Sequence, residues 1–459
     1  MKFLTRSLLL AIGLLFLSHT QTVFAEDSKT PLKTLELQDG DSIVFLGDSI
    51  THQCLYTQYV EDYFYTRFPK MRLKFHNSGV GGAKAWDALE RFDRDVADYK
   101  PKYVTVLLGM NDGRYQPFNQ EIFDTYHTDM TKLIGRLKEI GTTPILMTPT
   151  MFDSRAARNG KRKHDSGKLE LYNSVLAYYG TWLRDVAVES GFGFVDMYGP
   201  LNNITLQERK ANADFTIIRD SVHPDAPGQV VMAFAILNDM GLKKQVSNIR
   251  ISKAAGNKAV AIVTGGEISD AVFQEDGLTF TFLAESLPLV MPEEAQLGAK
   301  LTKLGHKMSR EALEVHGLAA GRYELSIDGT VVGVFPVSSL ERHIELQENS
   351  KTPQHQQAAA VAALNKQRND GPVKSMRNEW RVFQGYSRLK AQLVASADAE
   401  KLKQQVSGLA KRLDGLDDRI KEHEAAALKL EDQIFEINQP KARKYELKRV
   451  AKPAPKKKK

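Results

Sequence analysis

A serine closes the first strand-like run of the chain, in the stretch VFLGDSITHQ. Ser49 ends the turn-like triplet at 47–49, and His52 lies three residues later. A serine hydroxyl is a weak nucleophile until a neighbouring base takes its proton. The stretch therefore has two interpretations. Ser49 either belongs to a turn with a helix N-cap, or it is a nucleophile displayed at the end of a strand.

A base for this serine is present far along the chain, in the stretch DSVH at 220–223. The neutral imidazole of His223 can accept a proton near pH 7, and Asp220 is close enough in sequence to orient that ring. His52 is a competing base, but on a helix that begins at Ser49 it would sit one turn deeper than the cleft. We therefore take Ser49, His223 and Asp220 as nucleophile, base and orienting acid, and expect His52 to line the pocket.

Two further short blocks also follow strand-like runs: NSGVGG at 77–82 and GMND at 109–112. Each of the four blocks is weak evidence alone. Together, in this order, they resemble the SGNH (GDSL) hydrolase family, which is named for Ser, Gly, Asn and His in such blocks. The resemblance covers about 40–245 and implies a serine esterase, lipase or acylhydrolase.

The resemblance also implies an oxyanion hole, which stabilises the negative charge of the tetrahedral intermediate. Its donors would be the backbone N–H groups of Ser49 and Gly82 and the side-chain amide of Asn111, each worth about 3–4 kcal/mol. Glycine suits such a position because the backbone can approach a ligand closely. Gly81 is the alternative donor, since the double glycine can be aligned in two ways. A helix opened by Ser49 would add its dipole.

The elements that must hold these blocks alternate between strand-like and helix-like runs from about 40 to 245. Such alternation predicts a parallel sheet covered by helices on both faces. We expect a three-layer α/β/α, flavodoxin-like fold, in which ligands bind at the carboxyl ends of the strands. The four blocks occupy the loops where that rule places function.

The rest of the chain has other patterns, and the predicted organisation has five parts. They are a signal peptide at 1–25, an SGNH hydrolase catalytic domain at 26–245, a small β domain at 246–349, a helical segment at 350–440 and a basic disordered tail at 441–459. In the β domain, Asp328-Gly329 between two β runs predicts a hairpin.

The helical segment carries a 4,3 spacing of apolar and spacer residues from Leu402 to Ile437. This pattern is typical of a coiled coil, either between chains as a homo-oligomer or within the chain as a hairpin. The helical stretch at 353–393 is a partner for the second arrangement. A further hypothesis is that these helices cover the cleft as a lid, through residues 378–381 (NEWR).

Composition and charge limit the partners, cofactors and cellular location that we expect. The 459 residues carry a net charge of +7, but the last nineteen alone carry +9, so the body is near neutral. The tail could meet an anionic envelope or membrane surface or simply be solvated, and no nucleic-acid partner is expected. Cys54 is the only cysteine, and the eleven histidines form no ligand-like cluster. We therefore expect no metal and no cofactor, and the basic, then apolar, start indicates export to the periplasm or the exterior.

These observations predict a secreted serine esterase that hydrolyses carboxylic esters through an acyl-enzyme. Deacetylation of carbohydrate is the first expectation for an exported protein with additional domains. A lysophospholipase or lipase-type acylhydrolase is the alternative. A non-catalytic binding or structural envelope protein is the alternative of another class, and the four intact blocks argue against it.

Overall fold

The structure is a computed structural model that describes residues 30–159, 169–242, 244–395 and 399–450. The expected signal peptide lies outside these ranges. Within them, no helix combines the length and the apolar character needed to cross a membrane.

The first region is a five-stranded parallel sheet with helices on both faces, as the flavodoxin-like prediction requires. The strand order is β2-β1-β3-β4-β5. Strand β1 has a neighbouring strand on each side and is buried along its whole length, which explains the apolar residues IVFL at its centre. The elements are β1 (Ser42–Gly47), α1 (Ser49–His52), α2 (Leu55–Arg67), β2 (Lys74–Gly79), α3 (Ala85–Glu90), α4 (Phe92–Asp95), β3 (Tyr103–Leu107), α5 (Gln120–Glu139), β4 (Thr143–Met147), α6 (Ser154–Asn159), α7 (Tyr172–Ser190), β5 (Gly193–Val195), α8 (Tyr198–Arg209) and α9 (Ala226–Asp239).

The register of the sheet brings three of the four blocks to one edge. Gly47 at the end of β1 lies opposite Gly79 of β2 and Leu107 of β3, so the loops that follow these strands meet. The packing there is close enough to require glycine. A Cβ atom on Gly79 would lie 2.4 Å from the backbone nitrogen of His52.

The second region contains two sheets packed on one apolar core, which agrees with the predicted β domain. Their orders are β13-β10-β6-β7 and β12-β11-β14-β9-β8. The predicted hairpin is confirmed: β11 and β12 are antiparallel and joined at Asp328-Gly329, both with positive φ. The elements are β6 (Gln245–Lys253), β7 (Ala259–Thr264), β8 (Gly266–Phe273), β9 (Gly277–Ala284), α10 (Gln296–Thr302), α11 (Leu304–Met308), β10 (Arg310–His316), β11 (Arg322–Ile327), β12 (Thr330–Pro336), α12 (Val337–Leu340), β13 (Ile344–Glu345) and, from the chain end, β14 (Arg443–Arg449).

Strand β14 corrects the prediction of a disordered tail from 441. It lies inside the second sheet, antiparallel to both β9 and β11. The apolar side chains of Tyr445 and Leu447 alternate with charged ones and are buried in the β core, whereas Lys444, Glu446 and Lys448 are exposed. The high charge of this stretch concealed an ordinary strand alternation.

The third region is helical and folds back along the chain. It contains α13 (Pro353–Arg368), a π-helical turn (Asn369–Val373), α14 (Lys374–Ala395), α15 (Glu400–Leu413) and α16 (Leu416–Ile437). Helix α14 packs on α15, and α13 packs on α16. The 4,3 spacing therefore serves contacts within one chain. The spacing continues across Gly415, but the helix does not: Gly415 has a φ of 70° and separates α15 from α16.

These helices rest on helix α2 of the first region through buried polar contacts. Arg368 pairs with Glu61 at 3.1 Å, and the side-chain amide of Asn365 donates to Asp62 at 2.8 Å. Val361, Trp380 and Ile434 belong to the same apolar core as the parallel sheet. This shared core fixes α14 beside the loops that carry the sequence blocks.

Candidate active site

Three of the predicted site residues form a continuous hydrogen-bonded chain. The Nε2 atom of His223 lies 2.7 Å from the Ser49 hydroxyl oxygen, and Nδ1 lies 2.6 Å from a carboxylate oxygen of Asp220. The other oxygen of Asp220 accepts the backbone N–H groups of Val222 and His223, at 2.9 and 2.7 Å. Ser49 begins α1 directly after β1, and His223 lies just before α9, so the elements of the sheet hold both groups.

The charges of this chain suit proton transfer. Partial burial alone would raise the pKa of Asp220, but the hydrogen bonds from His223 and Val222 outweigh it and lower that pKa to about 2. The hydrogen bond to Asp220 in turn raises the pKa of His223, against the effect of its burial. The pair is thus an ionised acid beside a strengthened base.

Two buried carboxyl groups shape the surrounding turns. Asp48 caps α1 by accepting the N–H of Ile50 at 2.9 Å, and burial raises its pKa to about 6. Asp112 accepts the N–H groups of Ala85 and Gly109, at 2.9 and 3.0 Å, and burial raises its pKa to about 7. Both residues tie turns together, which explains their places in the blocks.

The backbone N–H groups of Ser49 and Gly82 are free to bind a ligand. Neither donates to another group within the described part of the chain. Gly82 has a φ of +72°, a conformation that glycine adopts at little cost, and both residues line the same cleft. Gly81 lines this cleft too, so it stays an alternative donor.

The side-chain amide of Asn111 lies at the same cleft and already has partners. It donates to the carbonyl oxygen of Ala83 at 3.1 Å and to Asp48 at 3.3 Å. Its oxygen accepts the hydroxyl of Tyr115 at 3.0 Å, which fixes the orientation of the amide. The bond to Asp48 is the longer of the two, so it is the one that an oxyanion at a shorter distance could replace.

The expected dipole contribution is smaller than the sequence suggested. Helix α1 begins at Ser49 but ends at His52, and Cys54, with a φ of 60°, separates it from α2. One turn has little macrodipole. Cys54 itself is buried, which raises the pKa of its thiol to about 12, so it is not a competing nucleophile.

His52 lines the cleft, as expected, and its electrostatics differ from those of His223. Partial burial, together with the charges of Arg377 and Arg381, lowers the pKa of His52 to about 4. The Nδ1 atom of His223 is bound to Asp220, whereas the buried Nδ1 atom of His52 lacks a hydrogen-bond partner among the described residues. His223 is therefore the better base.

The cleft has a volume of about 900 Å³. Its aliphatic and phenylalanine lining, called the apolar wall below, consists of Phe152, Ala156, Ala157, Leu169 and Val222. Trp86 and Arg114 line a neighbouring cavity that shares Gly82 and Arg388 with the cleft. Tyr56 is fully buried and lines neither space.

Helix α14 supplies residues that the block analysis missed. Gln384 donates to the carbonyl oxygen of Gly81 at 3.0 Å, and Arg388 donates to that of Gly82 at 2.6 Å. Arg381 lines the cleft beside Ser49. In the segment 378–381, on which the lid hypothesis depends, Arg381 reaches the cleft, whereas Trp380 is buried. No local motif marks Gln384 or Arg388 in the sequence.

Comparison with known proteins gives three findings. Residues 45–231 match the model of the GDSL-like Lipase/Acylhydrolase family. An acetylxylan esterase of Geobacillus stearothermophilus is 25% identical over 231 residues, which are 46% of this chain and 98% of that protein. An uncharacterized lipoprotein of Bacillus subtilis (strain 168), YqeF, is 35% identical over 78 residues, which are 16% of this chain and 30% of that protein.

One solved structure resembles the chain well beyond the parallel sheet. It is that of a gut microbial diltiazem-metabolizing enzyme, with a TM-score of 0.79 and 26% sequence identity. The match covers 91% of this chain and 99% of that one. The arrangement of sheet, β region and C-terminal helices is therefore shared with a known enzyme.

Proposed function

We propose that this carboxylic ester hydrolase, whose residues 45–231 belong to the GDSL-like lipase/acylhydrolase family, uses Ser49 as its nucleophile. The observation that carries the proposal is the hydrogen-bonded chain Ser49–His223–Asp220, with distances of 2.7 and 2.6 Å. Such a chain both removes the serine proton and stabilises the imidazolium that forms.

In the first step, the Ser49 oxygen attacks the ester carbonyl carbon while His223 takes the hydroxyl proton. Negative charge moves to the former carbonyl oxygen, where the N–H groups of Ser49 and Gly82 and the amide of Asn111 are the proposed donors. The bond to the alcohol then breaks, and His223 returns its proton to the leaving oxygen. Ser49 is left as an acyl ester.

Water completes the cycle by the same path in reverse. His223 takes one proton from water as the oxygen attacks the acyl carbon. The tetrahedral intermediate collapses, the bond to the Ser49 oxygen breaks, and that oxygen regains its proton from His223. The products are the carboxylic acid and the free enzyme.

For the substrate, we propose an acetylated carbohydrate. The acetylxylan esterase relative, which matches along almost its whole length, supports this choice. The apolar wall of the cleft favours the second candidate, a longer acyl ester such as a lysophospholipid. The two differ in the acyl chain, so a series from acetyl to long acyl esters, with acetylated xylo-oligosaccharide included, distinguishes them.

Export is proposed from the first 25 residues, and the partial match to a lipoprotein agrees with a location in the envelope. The residues beyond 450 hold five lysines, through which contact with an anionic surface is proposed.

The nucleophile is tested by labelling with a fluorophosphonate probe. We expect wild type and Cys54→Ser to be labelled, and Ser49→Ala and His223→Asn to lose labelling. His52→Gln separates the two histidines, because it should label within a few-fold of wild type. Labelling that survives Ser49→Ala would overturn the assignment of the nucleophile, and an unlabelled wild type would overturn the proposed mechanism.

A further inference from the structure

We propose that Gln384, on helix α14, is a positioning residue that orients the oxyanion-hole peptide between Gly81 and Gly82. The inference rests on the proposed function, since it assigns a role to the Gly82 N–H. It adds a residue from outside the family-matched segment at 45–231.

The argument begins with the geometry of one peptide bond. The carbonyl oxygen of Gly81 and the N–H of Gly82 belong to the same planar unit, and in a trans peptide they point in opposite directions. Gln384 donates its side-chain amide to that oxygen at 3.0 Å. Holding the oxygen on the side of α14 therefore fixes the N–H on the opposite side.

This peptide needs such a constraint because both of its residues are glycines. The backbone bond from Ala83 to the carbonyl oxygen of Val80, at 3.1 Å, closes the turn around this peptide. Gly82 has a φ of +72°, and a Cβ on it would meet nothing within 4 Å, so no steric contact at Gly82 selects one orientation of the peptide within that turn. A peptide that rotates loses the preorganisation on which oxyanion stabilisation depends. Arg388 holds the next carbonyl, that of Gly82, at 2.6 Å.

The position of Gln384 is itself well determined. The residue is only 4% exposed, and α14 is anchored one turn earlier by the buried Trp380. Its other amide atom, Oε1, is buried without a hydrogen-bond partner in the described ranges. A buried amide with one unpaired end and its other end on the Gly81 carbonyl indicates that the contact itself is the reason for glutamine here.

The test is Gln384→Met, which keeps the volume and removes the donor, with the exposed Gln392→Met on the same helix as the matched control. We expect kcat on an aryl acetate to fall about 10- to 100-fold in the first variant, with KM within about 2-fold of wild type. The inhibition constant of a boronic acid, whose Ser49 adduct places an oxygen in the oxyanion hole, should rise by a similar factor. Gln392→Met should change none of these.

The possible failures are distinct. If wild type hydrolyses no ester and Ser49 is not labelled, the proposed function fails. If wild type is active and Gln384→Met retains its kcat, this inference is wrong. A folded Gln384→Met that loses kcat but binds the boronic acid normally would also overturn it.

The same helix face suggests a second inference, about the substrate: we propose that Arg381 binds a carboxylate of an acidic ester, such as an acetylated uronic acid. It too rests on the proposed function. The observation behind it is the state of the charged groups around the cleft, which is independent of the peptide contact.

All other charged side chains of the cleft have partners. Arg219 pairs with Asp225 and Arg388 with Asp87, each at 2.7 Å, and Asp220 is bound to His223. Arg381 has no ion pair or hydrogen bond within the described part of the chain, and its side chain is exposed to the cleft. A Cβ on Gly81 would lie 3.9 Å from its Nε atom, so the guanidinium is close to the proposed reaction centre.

A free guanidinium at that place suits a planar anion, because its paired donors match the two oxygens of a carboxylate. The neighbouring His52, with a pKa lowered to about 4, is neutral at pH 7 and does not compete for the anion. The ester bond would then lie beside Ser49 with an acidic group toward α14.

The test uses an acetylated methyl glucuronoside and its neutral methyl ester, which share the same acetyl group. We expect Arg381→Gln to lower kcat/KM for the acid by about 3- to 10-fold relative to the neutral ester, and added salt to lower it similarly in wild type. Lys390→Gln, which removes an exposed cation of the same helix outside the cleft, should change this ratio by less than 2-fold. An unchanged ratio in Arg381→Gln, or hydrolysis of neutral esters alone, would overturn the inference; inactivity on every ester would overturn the proposed function instead.

Discussion

The loops of the parallel sheet and helix α14 reach the same cleft by different routes. Ser49 and Gly82 follow strands whose register alone brings them together. Helix α14 comes from more than 290 residues further along the chain and meets those loops through single long-range contacts, such as Gln384 with Gly81. The first route leaves a recognisable order of motifs in the sequence, and the second leaves none.

The contact between the two regions is also an electrostatic one. Arg377 of α14 donates to both oxygens of Asp95 at 2.9 Å, and all of these atoms are fully buried. Arg91 binds the same carboxylate and donates to the carbonyl oxygens of Gly47 and Ser78. A single buried carboxylate therefore connects α14, through Arg91, with the carboxyl ends of β1 and β2.

The largest expected effect concerns the chain end. Deleting residues 443–459 removes β14 from between β9 and β11, together with the buried side chains of Tyr445 and Leu447. We expect a loss of more than about 6 kcal/mol, enough to unfold the β region, because burying each of these side chains is worth several kcal/mol. Limited proteolysis and near-UV circular dichroism measure it.

Deleting only 451–459 is the control, since every described contact of β14 is kept. This shorter deletion should leave both measurements as in the full chain. Equal stability of the two truncated proteins would contradict the structural role of β14.

The next effect tests the first route to the cleft. Asp220→Asn keeps the shape of the side chain but removes the charge that orients and stabilises His223. We expect kcat to fall by about 10²- to 10⁴-fold with little change in stability. Steady-state kinetics measure this, with Asp225→Asn, which breaks only the exposed pair with Arg219, as control. A loss of less than 10-fold would mean that another group orients the base.

The third prediction tests the long-range contact between helix α14 and the parallel-sheet region. Arg377→Met leaves Asp95 with fewer buried partners, and breaking a buried pair in this way costs about 3–5 kcal/mol. Urea unfolding measures the free energy of unfolding. Arg419→Met, which removes the partly exposed pair with Glu379, should cost less than about 1 kcal/mol. If both variants cost the same, the buried network does not join the two regions.

The smallest effect is a shift on the pH axis. In the proposed mechanism the neutral form of His223 is the active one, so kcat/KM should rise as the pH increases through its pKa, which Asp220 raises. The midpoint of the acidic limb is therefore expected above about 6.5. The residual activity of Asp220→Asn should show that midpoint at lower pH. A wild-type midpoint well below 6.5, or no shift in the variant, would contradict this.

The fold of the first region and its site residues could be predicted from the sequence because the signals are local. Apolar runs with polar blocks at their ends identify parallel strands and their loops, and the family resemblance then relates Ser49 to His223. The roles of Arg377 and Gln384 could not be predicted. An arginine or glutamine in a helical sequence gives the same pattern whether its side chain is exposed to solvent or bound to a buried carboxylate or carbonyl group.

Two other expectations show the same limit. The 4,3 spacing between Leu402 and Ile437 indicates packed helices but does not say whether the partner is another chain; contacts of α13 with α16 and of α14 with α15 supply an internal one. In the tail, the many charged residues made the alternation of Tyr445 and Leu447 with polar residues hard to recognise as a strand. The strand pairs with β9 and β11, which are distant in sequence, so the local sequence does not reveal it.

The place of β14 has a consequence for how the protein is made. In the second sheet, β14 (443–449) lies between β9 (277–284) and β11 (322–327). The central strand of this sheet is therefore the last described element to leave the ribosome. Until then β9 and β11 have open edges, which are templates for pairing with other chains. A chain that terminates before β14 therefore exposes the unpaired edges of β9 and β11, to which chaperones and proteases can bind.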